Sequence, residues 1–245
     1  MRLTFLGCGD AFGSGGRFNT CFLVDGGGAP SFLIDCGASS LIAMRRFGVD
    51  PNAIEAVFIS HLHGDHFGGL PFLILDAQLV SRRERPLTIA GPPGLEARLR
   101  QAMEVLFPGS AKVERAFETR VVELPPDRPA EVAGINLTPF QVKHPCGAPP
   151  FALRFEVAGK VLTYSGDTEW VDGLAQAAAG ADLFVAEAYL HAKKVKFHLD
   201  YGSLVENLAT AAPKRTILTH MSEEMLAARD GVSFETAEDG LVVEF

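Results

Sequence analysis

Apolar and polar positions alternate along this chain in short blocks, the pattern of strands and modest helices. Residues 2–7, 20–25 and 31–35 read as three strands joined by Gly-rich loops, with a turn at Asp25-Gly26-Gly27-Gly28. Gly37 breaks the chain, and Ser39 or Ser40 can then cap a helix that carries Leu41, Ile42, Met44 and Phe47. Asp50-Pro51 is a further helix start, a cap followed by proline at the first position. Ala56 to Ile59 reads as a short buried strand. Gly68-Gly69-Leu70-Pro71 opens a helix rich in Leu and Ile that runs toward Arg82. Leu87 to Ala90 is a strand, and the helix after it carries Leu95, Leu99, Met103 and Leu106 on one stripe.

The second half repeats the theme. Residues 112–143 read as several strands broken at Pro125-Pro126, and the run Ile135 to Val142 ends in Lys143-His144. Phe151 to Val157 and Lys160 to Tyr164 form a hairpin around Ala158-Gly159, which delivers Ser165-Gly166-Asp167-Thr168. A helix from Val171 to Ala179 and a strand from Leu183 to Ala186 follow, the strand ending at Glu187. Ser203-Leu204-Val205-Glu206 has the form of a capping box for the next helix. Arg215 to Leu218 is a last strand, ending at Thr219-His220. No linker or low-complexity stretch divides the halves, which predicts one domain over residues 1–245.

Chemistry concentrates in Phe58-Ile59-Ser60-His61-Leu62-His63-Gly64-Asp65-His66-Phe67. Imidazole and carboxylate are the usual ligands for zinc and its first-row neighbours. An extended strand end lets His61 and His63 point the same way. Asp65 and His66 would lie on the turn beyond, where Gly64 permits a sharp bend. Two pairs of ligands about one turn apart suit two metal ions rather than one.

Composition narrows the class. An apolar content of 47%, with 18 Phe, supports a sizeable dry core. No apolar run reaches the ~20 residues that span a bilayer. Met1-Arg2 leads straight into a strand rather than a signal peptide. Cys8, Cys21, Cys36 and Cys146 form no CxxC pair, so neither a disulfide framework nor a cysteine zinc site is expected. Buried thiols in a reducing cytoplasm are expected instead. The formal charge of −8 opposes broad nucleic-acid binding. Arg82-Arg83-Glu84-Arg85 reads as a solvated helix end, and His191 as a surface residue. The loop Gly7-Cys8-Gly9-Asp10-Ala11-Phe12-Gly13 is not a dinucleotide fingerprint, because its third glycine is one place late and no helix follows.

His61-x-His63-x-Asp65-His66 resembles the HxHxDH signature of the metallo-β-lactamase superfamily, whose members are mostly dinuclear metal hydrolases. The resemblance implies an α+β architecture, an αββα sandwich of two mixed sheets face to face with helices on the outer faces. It also implies three more ligands, which His144, Asp167 of the Ser-Gly-Asp motif and His220 match. One ion would be held by His61, His63 and His144, a second by Asp65, His66 and His220, with Asp167 bridging. Five of the seven histidines are then ligands. Zinc is the first expectation, with manganese or iron as alternatives. Two ions about 3.5–4 Å apart can share a water and lower its pKa enough to give hydroxide near neutrality. Asp65 can accept that water's proton.

Val185-Ala186-Glu187-Ala188 and Phe197-His198-Leu199-Asp200 are similar to segments of the ribonuclease Z and phosphodiesterase branch, as are Arg2 to Gly9, Arg17 to Thr20, Leu33 to Gly37 and Leu87 to Leu95. That branch implies that His198 contacts the phosphate or protonates the leaving oxygen, oriented by Glu187. Ribonuclease Z enzymes usually insert a long tRNA-gripping arm between the third histidine and Ser-Gly-Asp. Here a hairpin fills most of that interval. The related phosphodiesterases often carry a cysteine-rich zinc site, which is also missing. The expected activity is hydrolysis of a small or nucleotide-like phosphodiester by a cytoplasmic enzyme, and the resemblance implies a homodimer, the frequent state of that branch. A lactone or thioester hydrolase, a tRNA 3′-processing endonuclease and a non-catalytic metal-binding module are the alternatives.

Overall fold

A computed structural model describes every residue from Met1 to Phe245. Six strands come from the first half: β1 (Arg2–Gly7), β2 (Cys21–Asp25), β3 (Phe32–Ile34), β4 (Ala56–Phe58), β5 (Leu87–Gly91) and β6 (Thr119–Glu123). Seven more come from the second: β7 (Ala130–Val132), β8 (Ile135–Gln141), β9 (Phe151–Val157), β10 (Lys160–Tyr164), β11 (Leu183–Glu187), β12 (Thr216–Thr219) and β13 (Glu235–Thr236). A final strand, β14 (Val242–Glu244), returns to the first half. The two sheets run β14-β1-β2-β3-β4-β5-β6 and β13-β12-β11-β10-β9-β8-β7. In each, antiparallel meanders pass into three parallel pairings, so both halves are built alike.

The helices α1 (Ser40–Arg46), α2 (Gly64–Phe67), α3 (Leu70–Leu79), α4 (Leu95–Leu106), α5 (Asp172–Ala178), α6 (Tyr201–Ala211) and α7 (Glu223–Ala228) complete the fold. Alternate side chains of each buried strand go to opposite layers. In β2, Phe22 and Val24 enter the core between the sheets, while Cys21 and Leu23 pack outward with residues of α1, α3 and α4. A third apolar layer joins the outer face of the second sheet to α5, α6 and α7. This is the αββα sandwich expected. Between the sheets, the rings of Phe32, Phe58 and Phe155 pack with centroids 5.1–5.3 Å apart. Each such buried ring contributes roughly 1.5–3 kcal/mol. All four cysteines are free and buried. No helix is long and apolar enough to cross a membrane.

Four local expectations need correction. Asp50 does cap a start, accepting from the Asn52 N–H at 2.9 Å, but only one 3-10 turn forms, because β4 follows at Ala56. The cap of α6 is Asp200 rather than Ser203. Its carboxylate takes the Ser203 N–H at 2.8 Å and the Ser203 hydroxyl at 2.7 Å, so the serine serves the cap instead of being it. Gly64 makes no sharp bend. It opens the one-turn α2 after an extended His63, and a side chain there would meet open space. The glycine that matters is Gly37, where a Cβ would fall 2.1 Å from the Asp65 carbonyl.

Arg83 is no solvated helix end. Its side chain is buried and donates to the carbonyls of Pro51, Ile54, Arg85 and Pro86 at 2.7–3.3 Å. Arg82, Glu84 and Arg85 around it remain exposed. The guanidinium is the local replacement for a strand ladder, tying the loop after α3 to the loop before β4. Charge-assisted hydrogen bonds are worth about 1.5–3 kcal/mol each when broken one-sidedly, so Arg83→Met should cost about 3 kcal/mol in denaturant unfolding. A change within ~0.5 kcal/mol, as for an ordinary surface substitution, would contradict this account.

Candidate metal centre

The two halves of the fold meet along the edge where their parallel strands end. β4 leads through Ile59 and Ser60 to His61 and His63, and α2 carries Asp65 and His66. From the other half, β8 leads to His144 and β10 to Asp167, β11 ends on Glu187, and β12 runs directly into His220. Ser165-Gly166-Asp167-Thr168 is clamped to β11: Glu187 N–H donates to Ser165 Oγ at 2.8 Å, and the Thr168 N–H donates to Glu187 Oε2 at 2.8 Å. Gly166 takes φ 59° and packs where a Cβ would fall 2.5 Å from the Phe151 carbonyl, so Ser-Gly-Asp needs its glycine here.

These side chains converge into two adjoining groups, and a third group of Asp167, Glu187, His198 and His220 overlaps the second. His61, His63 and His144 form one, with His144 Nε2 3.0 Å from His63 Nδ1. Asp65, His66, Asp167 and His220 form the other. In it His66 Nε2 lies 3.2 Å from Asp65 Oδ2, 3.3 Å from His220 Nε2 and 3.4 Å from Asp167 Oδ1. Asp167 stands between the groups. Its Oδ2 is 3.9 Å from the Nε2 atoms of both His61 and His144, and 3.5 Å from that of His220.

The hydrogen bonds behind the rings show why this set suits a cation. His66 Nδ1 donates to Asp35 at 2.7 Å, and His144 Nδ1 donates to the Phe197 carbonyl at 2.9 Å. The Ser60 hydroxyl gives its proton to Asp35 at 2.8 Å, so His61 Nδ1, 3.1 Å away, must donate to it. In all three rings the proton is held outside and the Nε2 lone pair faces inward. His61 Nε2 and Asp167 Oδ1 are buried without a hydrogen-bond partner. Burial pushes His61 well below the usual imidazole range, an effect reinforced by His66, so its lone pair stays free. Burial also works against charge on His66, but Asp167, Asp65 and Asp35 together raise it well above its ordinary value. Without a metal, this carboxylate-rich pocket draws in a proton instead. A divalent ion would answer the same demand, and the donor set fits one.

Asp35 escaped the sequence reading. It ends an apolar run as Leu33-Ile34-Asp35, and an ionisable residue closing a buried strand was the available signal. It is fully buried, adopts φ 58° and accepts from the Ser60 N–H at 2.7 Å besides Ser60 Oγ and His66. Such outer partners typically tune metal affinity 10–100-fold, so Asp35→Asn should weaken it by about that factor in chelator competition. An unchanged affinity would remove Asp35 from the site.

His198 and Glu187 lie beside both groups. His198 Nδ1 hydrogen-bonds Glu187 Oε1 and is 4.0 Å from Asp167 Oδ2. Glu187 is buried and also receives the Leu199 N–H at 3.3 Å. Burial lowers His198 from its ordinary value and, with Asp167, raises Glu187 well above its own. The Tyr189 ring, also unforeseen, lies 4.9 Å from that of His198. His191 is half-buried rather than on the surface, stacked on Tyr201 at 5.3 Å.

Comparisons with known proteins agree with this fold. A family model described as anti-Pycsar protein Apyc1 matches residues 1–240. Ribonuclease Z of Agathobacter rectalis is 27% identical, over 82% of this chain and 81% of that protein. Ribonuclease Z of Mycobacterium bovis is 28% identical, over 89% of this chain and 84% of its own length. Among solved structures, the short form of human tRNase Z superposes with a TM-score of 0.81 at 26% identity, covering 100% of this chain and 99% of that one. A diphosphatase of the PhnP family gives a TM-score of 0.76 at 21% identity, covering 100% and 97%, a likeness of fold.

Proposed function

The chain belongs to the family of the anti-Pycsar protein Apyc1 and is a metal-dependent hydrolase of the metallo-β-lactamase fold, and from that premise we propose that it is a phosphodiesterase of small or nucleotide-like phosphodiesters. His61, His63 and His144 would hold one divalent ion and Asp65, His66 and His220 a second, with Asp167 between them. Zinc, manganese and iron all suit these donors. When bound, such ions supply Lewis acidity, which acidifies water and offsets charge on a phosphoryl group. Asp65 is held ionised by His66 and His220 against the cost of its burial, which suits it to ligating a cation more than to taking up a proton.

The observation that carries the reading is the His198–Glu187 pair at the margin of the two groups. A carboxylic acid against a neutral imidazole and a carboxylate against an imidazolium hold the same number of protons. Either way the pair keeps one proton to hand to the departing oxygen through His198 Nε2. A phosphodiester has a poor alkoxide leaving group and needs that proton, whereas a lactone or thioester depends on it less. The ribonuclease Z names of the relatives favour tRNA 3′-processing as a second reading. Against it stand the tight β9–β10 hairpin in the interval where a tRNA-gripping arm would be expected and the charge of −8.

The test is hydrolysis of bis(p-nitrophenyl) phosphate by protein loaded with zinc or manganese at two equivalents per chain. Turnover that follows metal content and disappears with chelator is the expected result. A fully loaded protein without turnover would refute the phosphodiesterase reading and direct assays to lactones and thioesters.

A further inference from the structure

The segment between Leu190 and His198 carries charge that the assignments above leave unused. In a chain with 30 acidic and 22 basic side chains, Lys193, Lys194 and Lys196 crowd into four positions. All three are exposed, and the lysine ion pairs of the molecule involve Lys143 and Lys214 instead. Three cations so close together repel one another, and Glu169, which feels Lys196 but is paired with Lys143, offsets only part of that repulsion.

Both feet of the segment are fastened to the centre. At one end the Phe197 carbonyl accepts from His144 Nδ1 at 2.9 Å, and the Phe197 N–H donates to Glu169 at 3.1 Å. At the other the Tyr189 N–H donates to the Leu199 carbonyl at 2.9 Å, and Leu190 bridges to Asp200. The lysines are therefore held at a set distance from His198 rather than on a free tail. Lys194 and Lys196 line a cleft of about 400 Å³ whose walls also include His198 and Trp170, the only tryptophan. The carboxylates facing this cleft are Glu169, Asp200 and Glu206. Glu169 is occupied by Lys143 at 2.6 Å, and Asp200 by Ser203. Glu206 has no such partner, and of the other two Glu169 also feels the charge of Lys196.

We propose that Lys194 and Lys196, with Lys193 beside them in the chain, form a subsite for a second anionic group, so that the preferred substrates are phosphodiesters bearing a further phosphate beside the scissile one. The proposal rests on the phosphodiesterase reading and narrows its substrate class. Lysine suits the task, because a compact charge on a flexible stem tolerates small differences in where the second phosphate sits. The cleft, at about 400 Å³, is large enough for a sugar, and His198 on its wall is the side chain it shares with the margin of the metal centre.

Binding rather than turnover provides the test. Thymidine 3′,5′-bisphosphate and thymidine 5′-monophosphate differ by one phosphate, and calorimetry compares them on the full, zinc-loaded chain. The bisphosphate should bind about tenfold more tightly at low salt, the gain of a few exposed ion pairs. That preference should fade near ~1 M salt, where exposed charges are screened. It should also disappear in the combined Lys193→Ala, Lys194→Ala, Lys196→Ala variant, whose exposed positions leave the core untouched. Equal affinities in the wild-type chain, or an unchanged preference in the variant, would overturn the proposal. A preserved preference without bis(p-nitrophenyl) phosphate turnover would instead remove the phosphodiesterase reading and leave the anion subsite standing.

Discussion

Asp167→Asn should lower bis(p-nitrophenyl) phosphate turnover by about 10³-fold or more and reduce bound metal from two ions per chain toward one, on the scale of losing a central electrostatic group. The substitution keeps the volume and one oxygen but removes the negative charge that lies among His61, His66, His144 and His220. Burial opposes ionisation of this carboxyl, yet His220 and His66 hold it well below the usual carboxylate range. Its charge is thus the counterweight for both groups at once. Losing it leaves two neighbouring cations to repel each other, which is why one ion should depart first. In the metal-free protein, the carboxylate stabilises the fold above its ordinary pKa, and that contribution is lost as pH falls through the depressed value. The variant should therefore be less stable than the wild type near neutrality, with the gap closing in acid. Metal analysis with two full equivalents and turnover within tenfold of wild type would refute the bridging role.

How far the sequence disclosed this site depended on how local each signal was. His61, His63, Asp65 and His66 lie within six positions, and their spacing alone announced metal chemistry. His144, Asp167 and His220 were placed by family resemblance and by their positions after strands, because nothing local marks a lone histidine as a ligand. Asp35 was passed over since its role exists only across the fold, through a bond to His66 thirty-one positions away. Arg83 failed for the opposite reason: its charged neighbours suggested solvent, while the carbonyls it serves belong to a distant loop. The strand blocks were legible because they recur in both halves, while their arrangement in two facing sheets came from the family resemblance. The closing strand β14 was not, since its pairing of Val243 with Leu3 joins opposite ends of the chain. Local pattern predicts elements; it is silent about partners that meet only after folding.

His198→Ala should lower turnover of phosphodiesters with alkoxide leaving groups by about 10²–10⁴-fold while leaving metal content at the wild-type level, the range typical of a lost general acid. The imidazole is 23% exposed and its hydrogen bond goes to Glu187 rather than to Asp167 or the five candidate ligand histidines, although its ring packs 4.9 Å from that of His144. The size of the defect should depend on the leaving group. p-Nitrophenolate departs readily without a proton, so bis(p-nitrophenyl) phosphate should be affected far less than a ribose or alkyl ester. Glu187→Gln refines the point, because glutamine can still hydrogen-bond His198 Nδ1 but cannot release a proton to it. It should reproduce most of the loss on poor leaving groups and flatten the alkaline limb of the pH profile, which reports the pair's single proton. An equal defect on activated and unactivated esters would mean that His198 only contacts the phosphate. Retention of full activity on both would exclude it from the chemistry altogether.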